Sequence, residues 1–571
     1  MRRSIYRVFF YLLCHLFCCL YAKNLYAYTV VTIDGGNRIV AEGNAVTLTA
    51  LLEGLPGLRQ ANDVLSVQWY RKDYGTTDYP TTAIQSTIID PGTTSNDLTD
   101  TPEESSYYKA VLADQIGVTC TAEVLVVVMK LSKILFHDSH AIYYDPGVPP
   151  FNTGATEPPT PYVVGSSLPN SFHWIKTSTG SILSKPVCYT RNTPFKASVF
   201  ITMNGLEDIG IELSSIQLKG TGTIPSLGSY AASVPIGGLT VLGNGYLYSM
   251  TTATATFPNA IGIHELTINW EYSQDAGATW SGGGDAPLPT TSHQVYLTLN
   301  NPTMNQPGQY LFRTTLHIAC QEAAGLSDVN AAVDAIYAKF ATRNVQNLSG
   351  QALRYWHDIE QELHTTQELL YHKDGRCRAW SRFFRDMLNG NGINTQSISV
   401  QRTETPAGTL YPPLPPGTEA LINQAVTAFN NAANPTDIPT FSIENKSVFL
   451  VKNWNVQGDN FYKLLSQAPE NYETLIGTPT NAAANGVPAQ SNENPYSFFY
   501  DHALVKVNGK YYDPSYGTGS FNSLGDWEAN SIAAFGAMIT HSTPTIFLLW
   551  IEKLNTSVST ETDLQEYIIN Y

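Results

Sequence analysis

Charged side chains are scarce in this sequence of 571 residues, since Asp, Glu, Lys and Arg together make up only 14% of it. Basic residues are the scarcer kind: 32 Lys and Arg stand against 48 Asp and Glu, which gives a formal net charge of −16 at pH 7. The negative charge of phosphate groups repels a chain with so negative a net charge. The composition therefore argues against nucleic acid or an anionic membrane surface as a partner.

Hydrophobic runs long enough to cross a membrane are also lacking after residue 27, because a spanning helix needs about 20 apolar residues. The start of the chain differs: Met1–Arg7 is basic and Val8–Leu20 is apolar, an arrangement typical of a secretory signal. Cleavage could follow Ala22 or Ala27, and we assign residues 1–27 to the signal peptide. We therefore expect a secreted or extracytoplasmic protein with no membrane span in the mature chain. An uncleaved anchor or a lipoprotein fits the sequence less well.

Cysteine is rare as well: of seven cysteines, Cys120, Cys188, Cys320 and Cys377 remain outside the leader. Their separations match no metal-binding motif, and we predict neither a metal nor a cofactor. If Cys377 is a free thiol, the other three can form at most one disulfide bond. The chain is therefore not built on disulfides, and buried free thiols are the commoner outcome for such residues.

The length exceeds what one hydrophobic core supports, so we expect about three domains after the leader. Residues 28–130 alternate between apolar and polar side chains in several short runs, which predicts an all-β sandwich. This segment resembles an immunoglobulin-like domain in its core Trp69 and in Tyr108. Ala50 and Ala110 stand where that fold places its disulfide cysteines, so packing alone must hold the sandwich together.

Residues 131–303 open with a Pro/Gly-rich linker at 145–161, and alternating segments follow it. We interpret these residues as a second β-sandwich with Trp270 and Trp280 in its core, and with strands at Ala197–Met203, Ile211–Lys219, Ile263–Tyr272 and Gln294–Asn300. No cluster of catalytic residue types appears here. A role in presenting the rest of the protein, or in docking a substrate or an extracellular partner protein, is the natural expectation.

A helix is predicted to begin at Cys377, because apolar residues follow it at three- and four-residue spacing until Gly390 and Gly392. A thiol in the first turn of a helix meets unpaired backbone N–H groups and the positive end of the helix dipole. Both favour the thiolate, and the same amides could hold an oxyanion.

A β-hairpin is predicted about 125 residues later, where Asn508-Gly509 separates two apolar runs. If Val507 faces Lys510 across the turn, then His502 and Asp513 project from the same face as diagonal neighbours, roughly 7–8 Å apart at the backbone. An imidazole and a carboxylate can bridge that distance. Taken singly, a cysteine on a helix or a histidine on a strand is usually structural. Thiol acyl-transfer chemistry requires such residues in combination: a thiol at the start of a helix, with a base and an acid on one face of a hairpin.

Residues 304–571 resemble a transglutaminase-like domain of the papain-like cysteine superfamily. The motifs that carry the resemblance are Gly375-Arg376-Cys377-Arg378-Ala379-Trp380 and His502-Ala503-Leu504-Val505 followed by Tyr511-Tyr512-Asp513-Pro514. The resemblance implies an α+β fold in which Cys377 is the nucleophile, His502 the general base and Asp513 the orienting carboxylate. It covers less than half of the chain.

Three functions are compatible with these motifs. The first is a cysteine peptidase or amidase that forms a thioester on a peptide or side-chain amide and hydrolyses it, which we favour because water is the default acceptor. The second is a surface binding or adhesion protein whose transglutaminase-like domain has lost activity. The third is a true cross-linking transglutaminase that uses an amine as acceptor.

Other helices are expected around the site. Ser327 can cap a helix whose stripe includes Val333 and Phe340, and a second helix is predicted over Gln351–Leu363. We interpret the Pro/Ala/Asn-rich segment 401–440 as an insertion that either covers the active-site cleft or is mobile. Its centre at 417–433 favours a small folded lid.

Overall fold

The computed structural model is mostly β-sheet. It describes residues 30–568 except for 35, 54–64, 90–93, 114–118, 149–171, 229–230, 243–244, 251–252, 282–287, 305–308, 358–362, 403–441, 452–460, 465–471, 478–487, 494, 496–497, 500, 541–546 and 553–563. The leader at 1–27 and the lid expected at 417–433 lie outside the described residues. Within the described part, every α-helix lies after residue 312.

The first module packs a three-stranded sheet, in the order β1-β3-β6, against strands β4, β5, β7 and β8. Its core contains Trp69 and Tyr108, as predicted from the sequence, and Ala50 and Ala110 are buried in the same core. The two sheets are thus a β-sandwich. Its strands are β1 (Val30–Asp34), β2 (Arg38–Ala41), β3 (Val46–Glu53), β4 (Leu65–Asp73), β5 (Gln85–Ile89), β6 (Ser95–Asp100), β7 (Ser106–Ala113) and β8 (Thr119–His137).

Among the side chains of this sandwich, we expect that of Trp69 to make the largest contribution to stability. It is fully buried, and its indole N–H donates to Asn96 Oδ1 at 2.9 Å. We expect Trp69→Ala to lower the free energy of unfolding of the first module by about 3–5 kcal/mol, because a large cavity is left. Chemical denaturation followed by circular dichroism measures this. Trp280→Ala is the control, since Trp280 is only half-buried, and an equal loss for both variants would contradict the prediction.

Strand β8 runs without a break through residue 130, where the sequence analysis divides the first module from the second. Its first half pairs with β7, and its second half pairs with β12 of the next module. The two modules therefore share one continuous strand. The remaining strands of the second module are β9 (Trp174–Lys176), β10 (Ile182–Ser184), β11 (Val187–Thr190), β12 (Lys196–Thr202), β13 (Gln217–Thr223), β14 (Ala231–Leu242), β15 (Gly245–Met250), β16 (Gly262–Ser273) and β17 (Leu288–Thr298).

Two sequence-based details of the second module were wrong. Trp280 is half-buried beneath the Lys219 ammonium, which lies 4.5 Å from its ring centroid, whereas Trp270 is buried as expected. The strand expected at Ile211–Lys219 begins only at Gln217, because a 3₁₀ turn at Leu213–Ser215 precedes it.

The third module combines helices with sheets. Its helices are α1 (Arg313–Glu322), α2 (Val329–Ala341), α3 (Thr366–His372), α4 (Cys377–Gly390) and α5 (Leu524–Ser531). Its strands are β18 (Arg354–Tyr355), β19 (Asp374–Gly375), β20 (Gln396–Arg402), β21 (Ser442–Val451), β22 (Phe461–Leu464), β23 (Tyr472–Gly477), β24 (Phe498–Phe499), β25 (Asp501–Val507), β26 (Lys510–Asp513), β27 (Thr518–Phe521), β28 (Ile532–Thr540), β29 (Phe547–Glu552) and β30 (Leu564–Ile568). A five-stranded sheet, ordered β27-β26-β25-β20-β30, packs on α4.

The helix predicted over Gln351–Leu363 was wrong. Leu353 and Tyr355 are buried while Arg354 between them is exposed, which is the period of a strand. Arg354–Tyr355 accordingly forms the short strand β18 beside β19. The helix predicted after Ser327 exists, but Asp328 caps it, accepting a hydrogen bond from the Ala331 amide at 2.9 Å.

The second and third modules share one hydrophobic core. Backbone hydrogen bonds cross between them, from Asn300 N–H to Asn391 O at 3.0 Å and from Arg313 N–H to Tyr143 O at 3.0 Å. The buried Asp145 carboxylate accepts from the Thr314 hydroxyl at 2.8 Å. The third module is therefore packed directly against the second.

Candidate active site

Cys377 is the first residue of α4, as the apolar spacing predicted. The preceding residue, Arg376, has a side chain without a hydrogen-bond acceptor and does not cap the N–H groups of the first turn. Two contacts of Ser381 hold the helix against the sheet: its hydroxyl donates to Leu504 O at 3.0 Å and is hydrogen-bonded to the Ser397 hydroxyl at 3.2 Å. The thiol is thus fixed at the junction of helix and sheet, with 6% of Cys377 exposed.

The hairpin that carries His502 has the predicted register, with Val507 opposite Lys510 and Val505 opposite Tyr512. Asn508 and Gly509 have φ angles of 49° and 82°, as the two-residue turn requires. His502 and Asp513 consequently meet on one face, where His502 Nε2 lies 3.0 Å from Asp513 Oδ2.

The Cys377 thiol lies near enough to His502 to act on its pKa. Because Nε2 is directed at Asp513, Nδ1 is the ring nitrogen left for the sulfur. Burial alone lowers the pKa of His502, but the charge and hydrogen bond of Asp513, together with Cys377, outweigh it and raise this pKa to about 10. A proton shared between sulfur and imidazole is thereby drawn toward the imidazole. The structure brings all three predicted residues together.

The carboxylate of Asp513 is held by four donors. Oδ2 accepts from His502 and, at 3.4 Å, from the Trp527 indole N–H, while Oδ1 accepts from the backbone amides of Ser515 and Tyr516 at 3.2 and 3.4 Å. The loop that supplies these amides turns at Gly517, which has φ of 60° and lies so close to Phe340 O that no Cβ would fit. The carboxylate therefore has one orientation, set by the fold.

Aromatic side chains enclose His502 on both sides. The Trp527 ring is parallel to the imidazole, with an interplanar angle of 4° and 5.9 Å between centroids, and the Tyr516 ring lies 5.8 Å away. Tyr355 packs on Tyr516 at 5.2 Å, and the pKa of its buried hydroxyl is raised by burial first and also by nearby groups that include Cys377. These aromatic side chains keep water away from the His502–Asp513 contact.

The rim of the site beside Cys377 is formed by Trp356 and Arg376. The Arg376 guanidinium lies 4.8 Å from the centroid of the Trp356 ring. Trp356 has a φ of 45°, uncommon for a bulky residue, and its amide donates to Gly375 O at 3.0 Å. Trp356, which follows β18 directly, therefore packs beside Gly375 and Arg376, the two residues before Cys377.

Sequence reasoning missed most of this environment. Trp527 and Tyr355 are distant in sequence from the motifs, and the incorrect helix at Gln351–Leu363 concealed Tyr355. Gln490, in a polar segment upstream of His502, is fully buried, and its amide donates to Phe340 O and Pro514 O at 2.8 and 2.9 Å. It supports the loop after Asp513.

An ion pair joins the chain neighbours of Cys377 and His502. Arg378 donates to Asp501 Oδ2 at 2.6 Å, and the Ser399 hydroxyl donates to the same oxygen at 3.0 Å. Their side chains are 40% and 28% exposed, so the pair itself stabilises the fold by no more than about 1 kcal/mol. Its position nevertheless ties the start of α4 to β25.

We expect Asp501→Asn to lower the turnover of an amide substrate roughly 2- to 10-fold while changing the unfolding free energy little, since small displacements of reacting groups are costly. Steady-state kinetics and chemical denaturation test this. Glu566→Gln, which removes the Lys506–Glu566 pair of 2.7 Å from the same strand, is the control. Equal losses in both variants would show that the pair beside the site has no special role.

Within the residues that the structure describes, no group of His, Cys, Asp and Glu is arranged to hold a metal ion. Among the same residues, no helix has both the length and the apolar composition that crossing a membrane requires.

No family model matches the chain, and no curated protein matches it either. Solved structures similar to parts of it include a superoxide reductase (neelaredoxin) from Ignicoccus hospitalis, with 14% identity over 18% of this chain and 83% of that one and a TM-score of 0.16. They also include fibronectin(III)-like modules of Clostridium thermocellum CbhA, with 12% identity over 47% of this chain and 94% of that one and a TM-score of 0.16. A marsupial T cell receptor has 11% identity over 47% of this chain and 97% of that one, with a TM-score of 0.15. Likenesses this weak carry no argument about fold or function.

Proposed function

We propose that residues 304–571 are a transglutaminase-like cysteine enzyme domain that cleaves peptide or side-chain amides through a thioester, with water as the acceptor. In this proposal the domain acts outside the cytoplasm, behind an immunoglobulin-like sandwich and a second sandwich. The observation that carries it is the buried contact among Cys377, His502 and Asp513.

The first half-reaction breaks the amide. Cys377 Sγ attacks the carbonyl carbon with its proton already held on His502, and the resulting oxyanion is stabilised by N–H groups at the start of α4. His502 then gives its proton to the leaving nitrogen. The products of this step are a free amine and a thioester on Cys377.

The second half-reaction releases the acyl group. His502 removes a proton from water, whose oxygen attacks the thioester carbonyl, and the thiolate leaves as a carboxylic acid is formed. Asp513 keeps the imidazole in the orientation that both transfers require and stabilises its protonated form. Peptide and side-chain amides are the substrates that this thioester chemistry takes.

Alkylation by iodoacetamide tests the proposal before a substrate is known. At neutral pH, Cys377 should react at least about 10-fold faster than Cys120, a half-buried free thiol in the first module. Peptide mapping after timed quenching gives both rates from one sample. A Cys377 rate no higher than that of Cys120 would reject the enzyme and favour the binding protein.

Product analysis distinguishes hydrolysis from cross-linking. With a glutamine-bearing protein and a labelled primary amine, the proposal expects ammonia and new carboxylates without incorporated label. Incorporation of label in proportion to the ammonia released would instead identify an amine as the acceptor.

A further inference from the structure

Two thiols lie in the core shared by the second and third modules, away from the candidate active site. Cys188 lies on β11 and Cys320 lies on α1, and both are fully buried. Both are free thiols in this structure. Acyl transfer by Cys377 uses neither of them, so their position calls for a separate explanation.

Strand register directs Cys188 toward α1. β11 pairs in parallel with β17, and Cys188 lies opposite Tyr296. The Tyr296 side chain reaches α1, where its hydroxyl is hydrogen-bonded to His317 Nδ1 at 3.1 Å. Residues opposite each other on neighbouring strands project to the same face of the sheet. The Cys188 side chain therefore points to the same helix.

Cys320 lies on the face of α1 that meets this sheet. It follows His317 by three residues, a spacing that places two side chains on one side of a helix. Its thiol donates to Leu297 O at 3.6 Å, and Leu297 is the residue after Tyr296 on β17. Cys188, on the sheet, and Cys320, on the helix face that meets it, thus lie beside consecutive residues of β17.

The electrostatics of the pair agree with this placement. Burial, and after it the nearby Cys320, raises the pKa of Cys188 well above its ordinary value, and burial raises the pKa of Cys320. Because thiolates carry out disulfide exchange, neither residue reacts readily once the core has closed. A bond between them would form during folding and would then be shielded from reductants.

We propose that Cys188 and Cys320 form a disulfide bond that joins the second module to the third when the chain folds in an oxidising compartment. Each thiol loses its hydrogen, and the two sulfurs bond. The two electrons and two protons pass to a disulfide oxidant, such as glutathione disulfide or an oxidised thiol–disulfide oxidoreductase, whose own S–S bond becomes two thiols. Closing so long a loop restricts the unfolded chain strongly.

The test is to refold the full-length chain from urea in a buffer of reduced and oxidised glutathione. Free thiols are then blocked with N-ethylmaleimide in denaturant, and the peptides are mapped without reduction. We expect a peptide pair that links Cys188 to Cys320, and a melting temperature that falls by about 5 °C or more when dithiothreitol is present during refolding. Cys120→Ser should retain both results.

The variant Cys188→Ala/Cys320→Ala separates the loss of the bond from the loss of packing. It should melt at the same temperature with and without dithiothreitol, somewhat below the reduced wild-type protein because two buried side chains are shortened. Full labelling of Cys188 and Cys320 in the refolded wild type overturns the proposal, and so does a link from either residue to another cysteine. Glutathione adducts on both thiols without a peptide link also overturn it.

Discussion

Cys377→Ala should lower amide turnover by about 10⁴-fold or more, because it removes the only atom that forms the covalent intermediate in the proposed reaction. The fold should be little affected, since the substitution removes only one heavy atom from a buried position. The expected cost in unfolding free energy is no more than about 1 kcal/mol. Steady-state release of carboxylate or ammonia from a peptide substrate measures the first quantity, and urea denaturation measures the second.

Cys188→Ala is the matched control for this substitution. It replaces a fully buried cysteine of the same chain outside the candidate site, so it should affect stability more than Cys377→Ala and turnover far less. If Cys377→Ala keeps all measurable turnover, both the hydrolase and the cross-linking transglutaminase are rejected. The β-sandwiches would then carry the function, with the third module as a scaffold.

The parts of the site that sequence reasoning predicted are those set by local chemistry. Asn508-Gly509 permits a two-residue turn, and this turn fixes which residues face each other along β25 and β26. That one constraint is enough to bring His502 and Asp513 to the same face. In the same way, the apolar spacing after Cys377 fixes the start of α4.

The missing parts depend on long-range packing. Trp527 stacks on His502 and donates to Asp513, yet it lies on a helix whose position relative to the hairpin no local pattern encodes. Tyr355 was misplaced because a short apolar run fits the period of a helix as well as that of a strand. The sequence did not predict that the first two modules share a strand, because β8 alternates in the same way on both sides of residue 130.

His502→Gln should remove turnover to a similar extent, about 10³-fold or more, and should also change how stability depends on pH. In the folded protein the pKa of His502 is raised from 6.5 to about 10, so folding favours the protonated imidazole. Its contribution to the unfolding free energy is fully present below pH 6.5 and is lost as the pH rises through about 10. The contribution is of the order of a few kcal/mol.

Urea denaturation of the wild type and of His502→Gln at intervals between pH 6 and pH 10.5 tests this linkage. The difference in unfolding free energy between the two proteins should shrink as the pH rises, because other groups that titrate in this range are common to both and cancel. His357→Gln, which replaces an exposed histidine near the rim, should follow the wild type throughout. A difference between wild type and His502→Gln that stays constant over the whole range would mean that His502 is not held protonated by Asp513. Asp513 would then only orient the ring, and the proton that activates Cys377 would have to be transferred during attack.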